Sequence, residues 1–145
     1  MAPKYIMSSA QYRGEGRESD WRKTVKDMAA AYGWVVLFEL PDKAYATLAQ
    51  AASTYDKTTK KRVYNKRSMI PVMLAIKSQP DLLLGHPERG VAIVVELKIP
   101  GKKPRDDQGQ KLDLYASCGV SSFVWETGDD EAERVLGQYG LGSWT

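Results

Sequence analysis

Apolar residues first recur at helical spacing. Trp21, Val25, Met28, Ala29 and Tyr32 form one stripe, which predicts a helix from about Arg17 to Tyr32. Gly33 stands where such a helix stops. Trp34 to Leu40, rich in Val, Phe and Leu, then predicts a strand. The pattern loses its period over Pro41 to Lys77. Asp42 can cap a short helix bearing Tyr45, Leu48, Ala52 and Tyr55. A basic run follows, and then an apolar stretch from Met69 to Ile76 that Pro71 interrupts and that fits a helix or a strand.

Period-two and continuous apolar patterns return after Pro80. Asp81 to Leu84 predicts a short strand and Val91 to Lys98 a longer one, joined by a turn short enough for an antiparallel hairpin. Ile99 to Asp106 is a loop marked by Pro100-Gly101 and Pro104. Asp107 to Cys118 predicts a helix with Leu112, Tyr115 and Ala116 inward and Gly119 as its stop. Ser121 to Glu126 is the last strand, with Phe123 and Trp125 as core residues, and Asp129 to Leu136 the last helix. The order is α-β-(insert)-β-β-α-β-α, an α/β domain with a small mixed β-sheet flanked by helices. An arm over residues 1–16 precedes a domain over 17–137, a basic insertion occupies about 41–77, and 138–145 form a tail.

Composition narrows the chemistry. The chain has 145 residues, 43% hydrophobic and 27% charged, which fits one globular domain. No apolar run approaches a membrane span, and Met1 to Ser9 lacks a signal-peptide pattern. Cys118 is the only cysteine, so neither an internal disulfide nor a cysteine-rich zinc site is expected, and a reducing cytoplasm is the expected compartment. His86 is the only histidine, within the turn sequence Gly85-His86-Pro87-Glu88-Arg89-Gly90, and reads as a solvated turn residue. If the chain hydrolyses anything, carboxylates and lysines must therefore do it. The formal charge is only +3, but it is segregated. Lys57, Lys60, Lys61, Arg62, Lys66 and Arg67 form one cluster and Lys102, Lys103 and Arg105 another, while acids collect near the C-terminus. Such a pattern fits one positive face for a polyanion, with Tyr55 and Tyr64 beside the first cluster. A solvated loop also explains that cluster.

The most informative segment is Val91 to Lys98. Six apolar residues are followed by Glu96 and Lys98, which lie two apart and so project from one face of the strand. The hairpin brings Asp81 back toward Glu96. Two converging carboxylates make an oxygen-ligand site for a hard cation, and a neighbouring ammonium can orient water or offset charge on phosphorus. Spacing alone leaves a strand-end salt bridge equally open. Glu18 falls on the Trp21–Val25 stripe and so faces inward.

Pro80-Asp81, fourteen intervening residues and Glu96-Leu97-Lys98 resemble the PD-(D/E)xK signature of restriction-type nucleases. Glu18, Trp21, Val25 and Gly33-Trp34 before it are similar to the VRR-NUC branch of that superfamily, in its small stand-alone phage and bacterial form. So are Gln108, Leu112-Asp113, Gly119-Val120, Val124-Trp125 and Glu133-Arg134 after it. The resemblance covers about residues 17–137. Two departures stand out: the long 41–77 segment, and Ser78-Gln79 where a glycine often precedes Pro-Asp.

The resemblance implies a restriction-endonuclease-like core and a metal-dependent DNA endonuclease using Mg²⁺ or Mn²⁺. It makes Asp81, Glu96 and the backbone carbonyl of Leu97 metal ligands, with Glu18 reaching the metal directly or through water. It makes Lys98 the catalytic lysine and Gln108 its orienting neighbour or a phosphate contact. The basic clusters become DNA contacts. A homodimer acting on branched DNA, similar to a Holliday junction resolvase, follows by the same route, as does a phage or bacterial recombination and repair role in the cytoplasm, the host's where the chain is phage-encoded. Two other classes fit the same sequence: an inactive DNA-binding module on this fold, and a phage interaction protein that binds a host enzyme.

Overall fold

The structure is a computed structural model that describes residues 18–41, 44–64 and 66–140, the side chains of Tyr45 and Tyr139 excepted. The expected arm over 1–16 and the capping residue Asp42 lie outside those residues. The chain divides into two compact units, one built from the segments either side of an insertion and the other from Leu40–Gln79.

In the first unit, helix α1 (Glu18–Ala31) is followed by strand β1 (Val35–Glu39). Trp21, Val25, Met28 and Ala29 are buried, as their spacing requires. The helix ends because Gly33 takes φ +90°, a conformation open to glycine, while the Trp34 N–H returns to the Ala29 carbonyl at 2.9 Å. Strand β4 (Leu82–His86) pairs antiparallel with both β1 and β5 (Val91–Lys98), and β6 (Ser121–Glu126) pairs parallel with β5. The sheet order is β1-β4-β5-β6, so the sheet is mixed. Helix α4 (Asp106–Ser117) provides the crossover before β6, and α5 (Asp130–Gly140) follows it.

Alternation along the strands divides the sheet faces. Leu82, Leu84, Ile93, Val95, Leu97 and Trp125 join residues of α1 and α5 in one core. Burying each large apolar side chain there contributes about 1.5–3 kcal/mol. Two indoles stitch that core to backbone: Trp21 donates to the Trp125 carbonyl at 3.1 Å and Trp34 to the Leu136 carbonyl at 3.0 Å. Glu96, between Val95 and Leu97, points to the opposite face. The register pairs Leu82 with Val95, so its next step sets Asp81 against Glu96.

Several expectations change. His86 is a buried strand residue, not a solvated turn residue: its ring sits edge-on to Trp34 at 5.3 Å, and its Nε2 lies 3.0 Å from the Tyr32 carbonyl. The turn begins only at Pro87. Ala116 is exposed although expected inward. The last helix runs through Gly137, where a side chain would meet the Tyr32 ring at 3.2 Å, so that glycine serves packing rather than termination. Residues 138–140 thus belong to α5 rather than a tail. Strand β1 lies at the sheet edge with Val35, Val36, Leu37 and Phe38 all at least two-fifths exposed.

The second unit carries α2 (Ala44–Ala52), a hairpin of β2 (Ser53–Asp56) and β3 (Lys61–Tyr64), a 3-10 turn (Arg67–Met69) and α3 (Ile70–Lys77). Ala49, Ala52 and Met73 form its small core, with Leu48 and Met69 packed against it. Tyr55 is a strand residue, not part of the helix. Pro71 occupies the first turn of α3, where its missing N–H costs nothing, which resolves the Met69–Ile76 stretch as mainly helical. Among the described residues no helix is long and apolar enough to cross a membrane.

Gly33 tests the junction of α1 and β1. A β-carbon there would lie 3.0 Å from His86 Nε2 as well as adopt a disfavoured φ. Gly33→Ala should lower unfolding free energy by about 1–2 kcal/mol in urea titrations. An unchanged midpoint would show that this turn is not held as described.

Candidate active site

The end of β5 gathers the polar groups. Glu96 is 2% exposed, and its Oε2 lies 3.1 Å from Lys98 Nζ. Lys98 also donates to Gln108 Oε1 at 3.3 Å. That oxygen accepts the Arg105 backbone N–H at 3.0 Å, the reciprocal arm of a helix cap. Gln108 therefore ties the first turn of α4 to the lysine. The Lys98 carbonyl accepts the Thr127 N–H at 2.9 Å, and Thr127 is itself buried.

Asp81 completes the centre from the neighbouring strand. Its Oδ2 accepts the Leu97 N–H at 2.7 Å, and its Oδ1 takes a 2.9 Å ion pair from Arg22 Nη2. Arg22 Nη1 lies 3.5 Å from Glu39 Oε2, and Lys26 Nζ lies 3.1 Å from Glu39 Oε1. A chain of alternating charge thus runs Lys26–Glu39–Arg22–Asp81, from a partly exposed lysine to a buried carboxylate. Arg22 was not anticipated as a site residue. The available signal was its place one turn after Glu18 and three residues before Val25, on the edge of the buried stripe.

Burial and the adjacent Asp81 carboxylate push the Glu96 carboxyl from 4.5 up to about 8, against a partial opposing pull from Lys98. Glu96 Oε1 is buried and accepts no hydrogen bond. Two facing hard-oxygen groups, one with an unused oxygen, match what a small divalent cation takes from protein. Among the described residues no three of His, Cys, Asp and Glu form a ligand cluster. The two carboxylates would accordingly hold such an ion with water and phosphate oxygens in the remaining positions, as Mg²⁺ commonly is held.

The other expected residues fall in three places. Glu18 is half-buried at the start of α1 and makes no such cluster with Asp81 and Glu96. Lys102, Lys103 and Arg105 are exposed on the loop leaving β5, with Arg105 Nε 3.2 Å from Asp107 Oδ1. Lys57, Lys60, Lys61, Arg62, Lys66 and Arg67 are all exposed in the inserted unit, and the first four belong to its hairpin rather than to an open loop.

No family model, curated protein or solved structure matches the chain.

Two measurements probe the centre. Arg22→Met strands a buried Asp81 charge and should cost about 3 kcal/mol, whereas Arg22→Met combined with Asp81→Asn should cost less than the two single changes added together. Simple additivity would remove the ion pair as the link. Between pH 4.5 and 8 folded Glu96 keeps a proton that the unfolded chain has released, so its contribution to stability falls as pH rises. In chelator, Glu96→Gln should therefore gain melting temperature relative to the native chain between pH 5 and pH 8, each marking roughly one end of that window. Parallel pH profiles for the two proteins would count against the buried carboxyl.

Proposed function

We propose that the chain is a metal-dependent phosphodiester hydrolase acting on DNA, on a restriction-endonuclease-like core of the PD-(D/E)xK type and similar to the VRR-NUC branch. The observation that carries this reading is the buried meeting of Asp81 and Glu96 beside the Lys98 ammonium, with Glu96 Oε1 taking no hydrogen bond from any N–H of the described chain. A salt bridge serving the fold alone does not require a second buried carboxylate pressed against the first, since that arrangement costs stability. It does suit a site that binds positive charge.

Asp81 and Glu96 would hold Mg²⁺ or Mn²⁺. When bound, such an ion supplies Lewis acidity, drawing charge from a phosphoryl oxygen and making water easier to deprotonate. Arg22 and the Leu97 N–H fix the Asp81 carboxylate in place, so it need not reorganise. Lys98 carries its positive charge where negative charge grows on phosphorus, and donates to water or to a phosphate oxygen. Gln108 holds that ammonium on the Glu96 side. Glu18 serves as an outer carboxylate. Lys102, Lys103 and Arg105, exposed directly after β5, would meet the DNA backbone near the scissile bond.

Purified protein should nick supercoiled plasmid, or cut linear, flapped, gapped or four-way DNA, with Mn²⁺ or Mg²⁺ and not with chelator. Lys98→Ala should lower cleavage at least a hundredfold or so while DNA affinity in chelator stays within about threefold of native. Asp81→Ala should also lose the rise in melting temperature caused by Mn²⁺. Native turnover by Lys98→Ala, or no cleavage of any of these DNAs with either ion, would sink the reading.

A further inference from the structure

We infer that the β2–β3 hairpin of the inserted unit is a platform for unpaired bases, so that the chain grips nucleic acid through a single-stranded segment. This rests on the nuclease reading for the nature of the polyanion, and goes beyond it in naming the form of nucleic acid and the residues that select it.

The register of the hairpin sets the argument. Tyr55 pairs with Arg62 and Ser53 with Tyr64, which places those four side chains on one face of a two-stranded ribbon. Tyr55 is 52% exposed and Tyr64 40% exposed, although neither belongs to the small core of the unit. Arg62 Nη1 reaches diagonally across the ribbon to Ser53 Oγ at 3.0 Å, so its guanidinium lies between the two tyrosine positions. The result is an open tyrosine–guanidinium–tyrosine surface. Lys57 and Lys60 stand exposed in the turn, and Lys61 is exposed at the start of β3.

The one acid in the hairpin, Asp56, is engaged in the turn. Its Oδ1 accepts the Thr58 N–H at 2.8 Å. The ribbon is anchored rather than free-standing: the Lys66 N–H donates to the Ala52 carbonyl at 3.1 Å, and Ser53 Oγ donates to the Ala49 carbonyl. A two-stranded hairpin is marginal by itself, and these bonds fix both of its ends to α2. The aromatic surface is therefore presented on a defined scaffold.

Cations alone attract any nucleic acid through phosphate and do not distinguish its forms. The tyrosines do. Bases within a duplex are already stacked and offer only their edges in the grooves, whereas unpaired bases offer faces on which an aromatic ring or a guanidinium can stack. Two exposed rings flanking an arginine, with lysines alongside for the backbone, match the second case.

Binding is measured with the full chain in chelator, so that cleavage plays no part. The probes are a labelled oligothymidylate about twenty nucleotides long, comfortably above a single-module site, and a blunt duplex of equal length. The native chain should bind the single strand about tenfold or more tighter than the duplex. Tyr55→Ala with Tyr64→Ala should weaken single-strand binding at least about tenfold and duplex binding by less than about threefold, while Tyr55→Phe with Tyr64→Phe stays near native. Lys57→Ala, Lys60→Ala and Lys61→Ala together should lower the salt slope on the single strand by about 2.

A measurement on the unaltered chain guards against misfolded variants. Photocrosslinking to an oligonucleotide containing 5-iodouracil should map to Tyr55 or Tyr64. Crosslinks that fall only elsewhere, equal affinity for the two probes, or equal losses in the alanine and phenylalanine pairs would each overturn the inference. A chain that cuts DNA but fails these tests keeps its hydrolytic site and loses the platform. A chain that passes them without cutting keeps the platform.

Discussion

Two carboxyl groups pressed together out of water form the constraint on which the rest of the first unit depends. Asp81 and Glu96 stand at adjacent strand ends because the β4–β5 register leaves them no other relation. Their proximity is unfavourable by itself. It persists because Arg22 approaches one carboxylate and Lys98 the other, and because the Leu97 N–H spends its hydrogen bond on Asp81. Each partner in turn needs a placed element. Arg22 needs α1 seated on the sheet by Trp21, Val25 and Met28. Lys98 needs the first turn of α4, where Gln108 accepts from it and from the Arg105 backbone. The apolar core therefore fixes more than a fold, since it sets the distances among five charged or polar side chains.

The parts legible in the sequence were those governed by short-range periodicity. Glu96 and Lys98 share a face because strands alternate, and Asp81 returns to them because the Pro87–Gly90 turn is short. The four central elements around the site fell within a few residues of their places. What the sequence hid was tertiary. Arg22 looks like a surface residue until Asp81 arrives from 59 positions away. His86 looks like part of a polar turn, and only its contacts with Trp34 and Tyr32 make it a core residue. Gly137 falls just past the helix that the pattern predicts, yet it lies within α5 and is small because Tyr32 crosses it. The basic hairpin lacks the alternation that marks a half-buried strand, because nearly all of its side chains are at least partly solvated.

That last failure reflects a difference between the units. The first has a large core, with its buried Arg22, Asp81 and Glu96 gathered in one place. Among its described residues the second closes over Ala49, Ala52 and Met73, with Leu48 and Met69 against them. So small a core leaves little apolar pattern to read and many side chains in solvent. The insertion is thus better understood by what it displays than by what it buries. What it displays is positive charge interleaved with tyrosine.

The charge balance of the site explains why such displays matter under the proposed reading. Glu39, Asp81 and Glu96 face Lys26, Arg22 and Lys98, three acids against three bases, so once Glu96 gives up the proton it holds below about pH 8, as a metal ligand must, the centre has no net charge with which to draw a phosphodiester. A bound divalent cation makes it positive, but only over a short range under physiological screening. Long-range attraction of a polyanion then falls to clusters outside the centre, and the chain has two of them, Lys102–Arg105 beside the site and Lys57–Arg67 in the insertion. The two are not equivalent. The first contains no aromatic residue and can do no more than hold backbone, whereas the second combines cations with exposed rings. On the proposed reading, selection among forms of DNA belongs to the second, because a phosphate is the same group in every form and a base face is not.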